Sequence, residues 1–333
     1  MKGMVFDLVM NNINTSIGIS GRKVAIIGVG YVGTSIAYAL TIKGIAREIV
    51  LIEHPDCAAK CVAEINDIRH GIRHMGLSNV HYGTYADIKD CNLIVIAAGR
   101  NRRPGETRPE LAADNLITAK HIAVEIRKHY TKGVVLIVTN PVDTITQAMT
   151  QWLALPDGTV FSTGCLLDSS RLTNVVADFI GLSPDDINAL IIGEHGDGQI
   201  AIWSKVTVAG ISIKEYCEMI GVSFTNDDKT AMEQRVRTMG TEIIKGKGRT
   251  HYGIATCVCY IADAILDHRP TIASVSSVLH GEYGISNVAL SLPCIIDSSG
   301  IKRRLTDKLE NVELARLKEV AKMLASSSSL IDK

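Results

Sequence analysis

The run Gly28-Val29-Gly30-Tyr31-Val32-Gly33 lies between an apolar, β-branched stretch at 23–28 and a segment of helical spacing at 31–43, and it constrains this chain more than any other feature. Three glycines at that spacing permit a tight strand-to-helix turn, close approach of a pyrophosphate, and close packing of the helix on its strand. The helix N-terminus adds unpaired N–H groups and a field that favours phosphate. Glu53 ends the next apolar run, 20 residues past Gly33. A carboxylate there accepts hydrogen bonds from both ribose hydroxyls and repels a 2′-phosphate, so the loop is expected to take NAD rather than NADP. Gly28, Gly30, Val32, Gly33 and Glu53 are the expected cofactor contacts.

The same alternation of strand and helix continues beyond the loop. Apolar runs at 48–53, 80–82, 93–98 and 134–139 are interleaved with helical patterns at 57–70 and 110–129. Strands without polar alternation, each followed by a helix, imply a parallel sheet covered on both faces. The expected fold is therefore α/β: a Rossmann doubly wound parallel sheet over 21–160, then an α+β substrate-binding catalytic domain over 161–333. In that second part the spacing predicts helices at 169–180, 227–245, 253–266 and 311–325. Strands are expected at 187–192 and 202–208, with an antiparallel pair at 274–278 and 288–296. A serine run follows the last helix at 326–329.

Charge and cysteine usage narrow the partner. Lys+Arg and Asp+Glu balance at 35 each, which removes the electrostatic case for nucleic acid or an anionic membrane surface and leaves a small molecule. Cys57-x3-Cys61 and Cys257-x-Cys259 lack partner pairs at zinc-ligand spacing, so no metal is expected, and the eight cysteines read as reduced thiols. Residues 1–20 carry one lysine and an apolar run broken by Asn11, Asn12 and Asn14. That composition is too polar for a signal peptide and too short for a membrane span. The expectation is an N-terminal arm packing on a neighbouring subunit of a cytoplasmic protein.

The chemistry concentrates in Gly193-Glu194-His195-Gly196-Asp197, read with Asp168 and Arg171 upstream. A histidine between glycines has little local packing to satisfy. A carboxylate can hold its imidazole in one tautomer and stabilise the protonated form, giving a proton donor and acceptor near neutral pH. A guanidinium three residues past that carboxylate offers a planar fork for a substrate carboxylate. Together these parts suit a small 2-hydroxy or 2-oxo acid. No GxSxG-type nucleophile elbow is present to make the histidine–aspartate pair part of a hydrolase.

With these residues in view, the chain resembles the lactate/malate dehydrogenase family from about Lys23 to its C-terminus. The motifs GVGYVG, AAGRNRRPGETR, VTNPVD, LLDSSRL and GEHGDGQIAIWS stand in the family's order and spacing. The resemblance implies that His195 donates the proton to the carbonyl oxygen, that Asp168 orients it, and that Arg171 clamps the substrate carboxylate. It makes Arg108 the lid arginine that polarises the reacting carbonyl. Asn140 stands near the nicotinamide carboxamide and the substrate oxygen, Gly99 belongs to the cofactor's surroundings, and Thr250 lines the substrate pocket. Arg103-Pro104-Gly105 suits a mobile lid that excludes water. The resemblance also implies a homotetramer or homodimer.

Two positions depart from the plain pattern. The lid position that reads the substrate's far end is Arg102, as in malate-type enzymes, where lactate-type enzymes carry glutamine. Glu106, Glu194, Trp203 and Thr250 instead resemble the lactate side. Pyruvate carries one negative charge, matched by Arg171; oxaloacetate carries two, and the second would meet Arg102. A closed pocket with pyruvate and an inward, unpaired Arg102 would cost about 3–5 kcal/mol, unless Arg102 turns outward or pairs with Glu106. L-lactate dehydrogenase activity and malate dehydrogenase activity both stay open, with a branched-chain 2-hydroxy acid dehydrogenase third and a non-catalytic NAD-binding protein as the reading from another class. The second departure is Thr173 and Asn188, where many bacterial relatives carry an arginine and a histidine that hold fructose 1,6-bisphosphate. No activation by that ligand is expected.

Overall fold

A computed structural model describes residues 22–74, 78–101, 106 and 108–327, without the side chains of residues 73, 108, 109 and 327. The N-terminal arm at 1–20, the lid residues Arg102, Arg103, Pro104 and Gly105, and the end of the serine run lie outside the described residues.

The first half runs β1 (Lys23–Ile27), α1 (Tyr31–Lys43), β2 (Glu48–Ile52), α2 (Ala58–Gly71), β3 (Asn79–Gly83), β4 (Leu93–Ile96), α3 (Arg108–His129), β5 (Val134–Ile137), α4 (Val142–Leu153) and β6 (Val160–Ser162). Its strands pair in the order β3-β2-β1-β4-β5-β6, all parallel. Both faces of the sheet are apolar because both are covered. Val24 and Ile26 of β1 pack with Ile36 and Leu40 of α1, while Ala25 and Ile27 point the other way to Ile122 and Ile126 of α3 and to Ile145 and Met149 of α4. This is the doubly wound arrangement that the uninterrupted apolar runs imply.

The second half contains α5 (Leu166–Ile180), β7 (Ile187–Asn188), β8 (Ile191–Gly193), β9 (Gln199–Ala201), β10 (Thr207–Val208), β11 (Ile211–Ser212), α6 (Ile213–Met219), α7 (Asn226–Lys247), α8 (Tyr252–Leu266), β12 (Thr271–His280), β13 (Ser286–Asp297), β14 (Gly300–Arg304) and α9 (Asn311–Ser327). β12 and β13 form the expected antiparallel pair, but it does not stand apart from the first sheet. Ser276 of β12 pairs with Ser162 of β6, and the sheet continues through β13, β8 and β9. A separate core joins Leu172 and Val176 of α5 to Met232 and Val236 of α7.

Several local expectations are corrected. The stretch 187–192 is two short strands, β7 and β8, rather than one. The stretch at 202–208 is a 3-10 turn at Trp203–Lys205 followed by the two-residue β10. The indole N–H of Trp203 donates from that turn to Glu233 Oε1 of α7 at 2.9 Å. Helix α4 and strand β6 arise from residues with no sequence expectation. All eight cysteines are unpaired thiols, and every one except Cys57 is buried. Among the described residues, no helix is long and apolar enough to cross a membrane.

Candidate active site

The glycines of the cofactor loop divide into two kinds. Gly28 has φ +98°, and a Cβ there would sit 2.4 Å from the backbone nitrogen of Ala98, so only glycine fits the turn. A Cβ on Gly33 would come 2.0 Å from the carbonyl oxygen of Gly28, which is the close helix-on-strand contact. At Gly30 a Cβ would meet nothing within 4 Å, so the backbone of the first turn of α1 is open to an incoming group. Val32, one turn in, packs partly against the core below. Glu53 closes the loop from the end of β2: its Oε2 accepts the backbone N–H of Val29 at 2.6 Å and its Oε1 that of His54 at 2.8 Å. Each oxygen keeps a lone pair for a ribose hydroxyl. An open backbone cradle at a helix N-terminus, backed by this carboxylate, fits a dinucleotide. Gly99 lies after β4, where a Cβ would press within 2.5 Å of Thr139 Cγ2.

The acid–base group is assembled from two elements. Helix α5 presents Asp168 and Arg171 one turn apart, and the loop after β8 presents His195. Asp168 Oδ2 meets His195 Nδ1 at 2.6 Å, while Asp168 Oδ1 accepts from Arg171 Nη1 at 2.9 Å. One buried carboxylate thus serves both cations. Burial alone would push the Asp168 carboxyl up, but the charges and hydrogen bonds of His195 and Arg171 outweigh it and hold the carboxyl below its usual range. For His195, burial works to lower the imidazole's basicity, and the Asp168 charge and hydrogen bond, with a contribution from Asp143, raise it above the usual value. With Nδ1 bound to Asp168, Nε2 is the ring nitrogen left for a reacting group. Gly240 of α7 stands opposite the Arg171 guanidinium, where a Cβ would make an ordinary contact 3.6 Å from Nη2.

Residues that sequence reasoning did not single out hold this group in place. Asp143, in the first turn of α4, is 4% exposed, and its Oδ2 accepts the backbone N–H of His195 at 2.8 Å. Asn115 of α3 is equally buried: its Nδ2 donates to the carbonyl of Asn140 at 2.7 Å, and its Oδ1 accepts the N–H of Arg100 at 3.0 Å. It ties the end of β4 to the turn that carries Asn140. Asp143 had a legible signal, an acid just after a proline in VTNPVD; Asn115 and Gly240 had none. Thr250 is half-buried between α7 and α8.

The lid is reached only at its edges. Arg102 lies outside the described residues, and so does the side chain of Arg108, whose backbone opens α3. Both oxygens of Glu106 are engaged by Arg100, whose Nε also donates to Asp114 at 2.7 Å. The carboxylate offered as one of two outlets for Arg102 therefore already holds a cation, and Arg100 adds little uncompensated charge to the lid. Of the remaining lactate-side markers, Glu194 Oε2 accepts the N–H of Gly198 at 3.0 Å. Thr173 donates within its own helix to the Ser169 carbonyl at 3.0 Å, and Asn188 is exposed on β7.

Comparison with known proteins places the chain in a family. Residues 22–162 match the family described as lactate/malate dehydrogenase, NAD binding domain, and residues 165–331 match lactate/malate dehydrogenase, alpha/beta C-terminal domain. The chain is 37% identical over 311 residues to an L-lactate dehydrogenase of Thermoanaerobacterium saccharolyticum, covering 93% of this chain and 99% of that protein. It is 36% identical over 304 residues to an L-lactate dehydrogenase of Clostridium perfringens, covering 91% and 95%. Among solved structures, an L-lactate dehydrogenase from Clostridium thermocellum superposes with a TM-score of 0.81 at 37% identity, covering 93% of this chain and 99% of that one. The minor L-lactate dehydrogenase of Enterococcus mundtii, in its ligand-bound form, gives 0.87 at 34% identity, with 93% and 98% covered.

Proposed function

The chain belongs to the lactate/malate dehydrogenase family, and from that premise we propose that it is an NAD-dependent L-lactate dehydrogenase that interconverts pyruvate and L-lactate. The observation that carries the reading is Asp168, one buried carboxylate bonded at once to His195 and to Arg171. Bound NADH supplies the hydride. Arg171 holds the carboxylate of pyruvate through its planar fork. His195, kept protonated by Asp168, gives the proton on Nε2 to the carbonyl oxygen as negative charge develops there, and takes it back in the reverse direction. Arg108 polarises the same carbonyl, Asn140 orients the substrate oxygen, and Thr250 limits the pocket's size. Gly28, Gly30, Val32, Gly33, Glu53 and Gly99 form the cofactor's cradle, with the division into cofactor and substrate parts at about residue 160.

Pyruvate is favoured over oxaloacetate because the relatives named above are lactate dehydrogenases. Steady-state oxidation of NADH with pyruvate, oxaloacetate and a branched 2-oxo acid, at neutral pH, tests the assignment. Pyruvate should lead in kcat/KM by about tenfold or more. Preference for oxaloacetate would turn Arg102 toward the substrate and make the activity that of a malate dehydrogenase. Fructose 1,6-bisphosphate added to the same assay is expected to leave KM unchanged, since neither Thr173 nor Asn188 can pair with phosphate as a cation. The protein is proposed to work in the cytoplasm as a homotetramer or homodimer. Exposed apolar side chains such as Tyr38 and Ile42 on α1 and Tyr260 on α8 support association, and sedimentation velocity reads the number of subunits.

Glu53 gives a separate prediction for the cofactor. Glu53→Ala removes a charge-assisted acceptor of the ribose hydroxyls and the brace on Val29. NADH binding should weaken by about 10- to 100-fold, from the loss of about 1.5–3 kcal/mol, while discrimination against NADPH falls. Fluorescence titration with both nucleotides measures the two effects, and an unchanged NADH affinity would remove Glu53 from the site.

A further inference from the structure

Beside His195 a second buried carboxylate, Asp143, has no part in the mechanism given above. Asp143 reaches the His195 loop from the first turn of α4, across 52 residues of sequence, and accepts the backbone N–H of His195 at 2.8 Å with Oδ2. Its other oxygen, Oδ1, is buried beside the buried hydroxyl of Ser276 on β12; the hydroxyl is near enough to favour the anion, but among the described residues neither atom completes a hydrogen bond of good geometry. A carboxylate left half-satisfied in a dry position is costly, and a fold that retains one keeps the charge near something that uses it.

We propose that Asp143 is a positioning residue for the reaction, a carboxylate that fixes the His195 loop through its backbone and supplies a second negative charge behind the imidazole. The inference rests on His195 as the proton carrier. Because α4 begins directly after Asn140 and Pro141, Asp143 also ties the turn that carries Asn140 to the loop that carries His195. The substrate-orienting and proton-handling parts of the site, which come from different halves of the chain, are thereby kept in register.

The charges around the pair are few. Asp143 faces His195, which favours its anion, and Glu194, which opposes it; the hydroxyl of Ser276 favours the anion, and the Cys165 thiol is buried nearby. Burial dominates and brings the Asp143 carboxyl up to about 6, so it is ionised over the working range and begins to lose its charge just below it. His195 faces Asp168 and Asp143 on the favourable side and Arg171 on the unfavourable one. Removing the Asp143 charge must make the imidazole less basic.

The test is Asp143→Asn, whose side-chain oxygen can still accept the His195 N–H while carrying no charge. Pyruvate reduction needs the protonated imidazole and lactate oxidation the neutral one, so both pH profiles should move to lower pH. The expected displacement is about half a pH unit or more, with NADH affinity unchanged. An independent reading comes from acylation by diethyl pyrocarbonate, taking only the histidine protected by NADH plus oxamate. That rate follows the neutral imidazole without requiring turnover, and its midpoint should move the same way. Ser276→Ala, which keeps Asp143 and its bond to the loop, is expected to shift both midpoints in the same direction by less. Midpoints that coincide with the parent's in Asp143→Asn, or in Ser276→Ala should the first variant not fold, overturn the proposal. A parent enzyme that reduces no 2-oxo acid overturns the assigned activity instead, and the acylation measurement still reads the coupling.

Discussion

His195→Gln is expected to bind NADH like the parent and to lose about 10³-fold in kcat for pyruvate reduction, roughly 4 kcal/mol of transition-state stabilisation. Glutamine can occupy the space and donate to Asp168, so the loop and the cofactor cradle should survive. What disappears is a donor that gives up a proton as charge builds on the carbonyl oxygen. The sign of the pH dependence follows from the raised basicity of His195. In the parent, reduction is at its full rate below the imidazole's pKa and falls as the pH rises through it; oxidation of lactate rises through the same point. In the variant both limbs should vanish. A residual kcat above about a tenth of the parent's, or a limb that persists, would assign the proton to another group.

Arg171→Lys is expected to raise KM for pyruvate by about 10²- to 10³-fold, with a smaller fall in kcat and no change in NADH binding. The guanidinium contributes a rigid pair of donors. In this protein it is oriented by the 2.9 Å bond to Asp168. A lysine supplies one mobile point charge, and it cannot hold a carboxylate in two places while also reaching Asp168. The loss in kcat/KM corresponds to about 3–4 kcal/mol. The Arg171 charge makes His195 less basic, and a lysine that does not reach Asp168 holds its charge farther from the imidazole, so the pH limb of His195 should move to higher pH. A variant whose KM stays within about threefold of the parent's would show that the carboxylate is clamped elsewhere.

Much of this site was legible before any coordinates because its signals are short-range. The cofactor loop needs a strand, three glycines and a helix within a dozen residues, and the φ of +98° at Gly28 and the open backbone at Gly30 are consequences of that local order. Asp168 and Arg171 lie one helical turn apart, so their shared face follows from the helix alone. Helix α4 was missed although its buried positions, Val142, Ile145, Met149 and Leu153, have helical spacing; the proline at its start marks a turn as readily as a helix. The stretch at 202–208 failed in the opposite way. It reads as a strand in the sequence, but the backbone winds into a 3-10 turn at Trp203–Lys205, where the Trp203 indole bonds Glu233 of α7.

The sequence by itself determined the doubly wound half, the preference for NAD, and the shared helical face of Asp168 and Arg171. Each depends on residues whose spacing along the chain already dictates where they point. The tertiary structure alone decided that Asp143 holds the His195 loop, that Asn115 holds the Asn140 turn, that Arg100 occupies Glu106, and that β12 completes the first sheet through Ser162. Except for Arg100 and Glu106, these contacts join segments from separate elements or halves of the molecule. A buried polar side chain takes its partner from whatever packing brings within about 3 Å, and no local propensity encodes that.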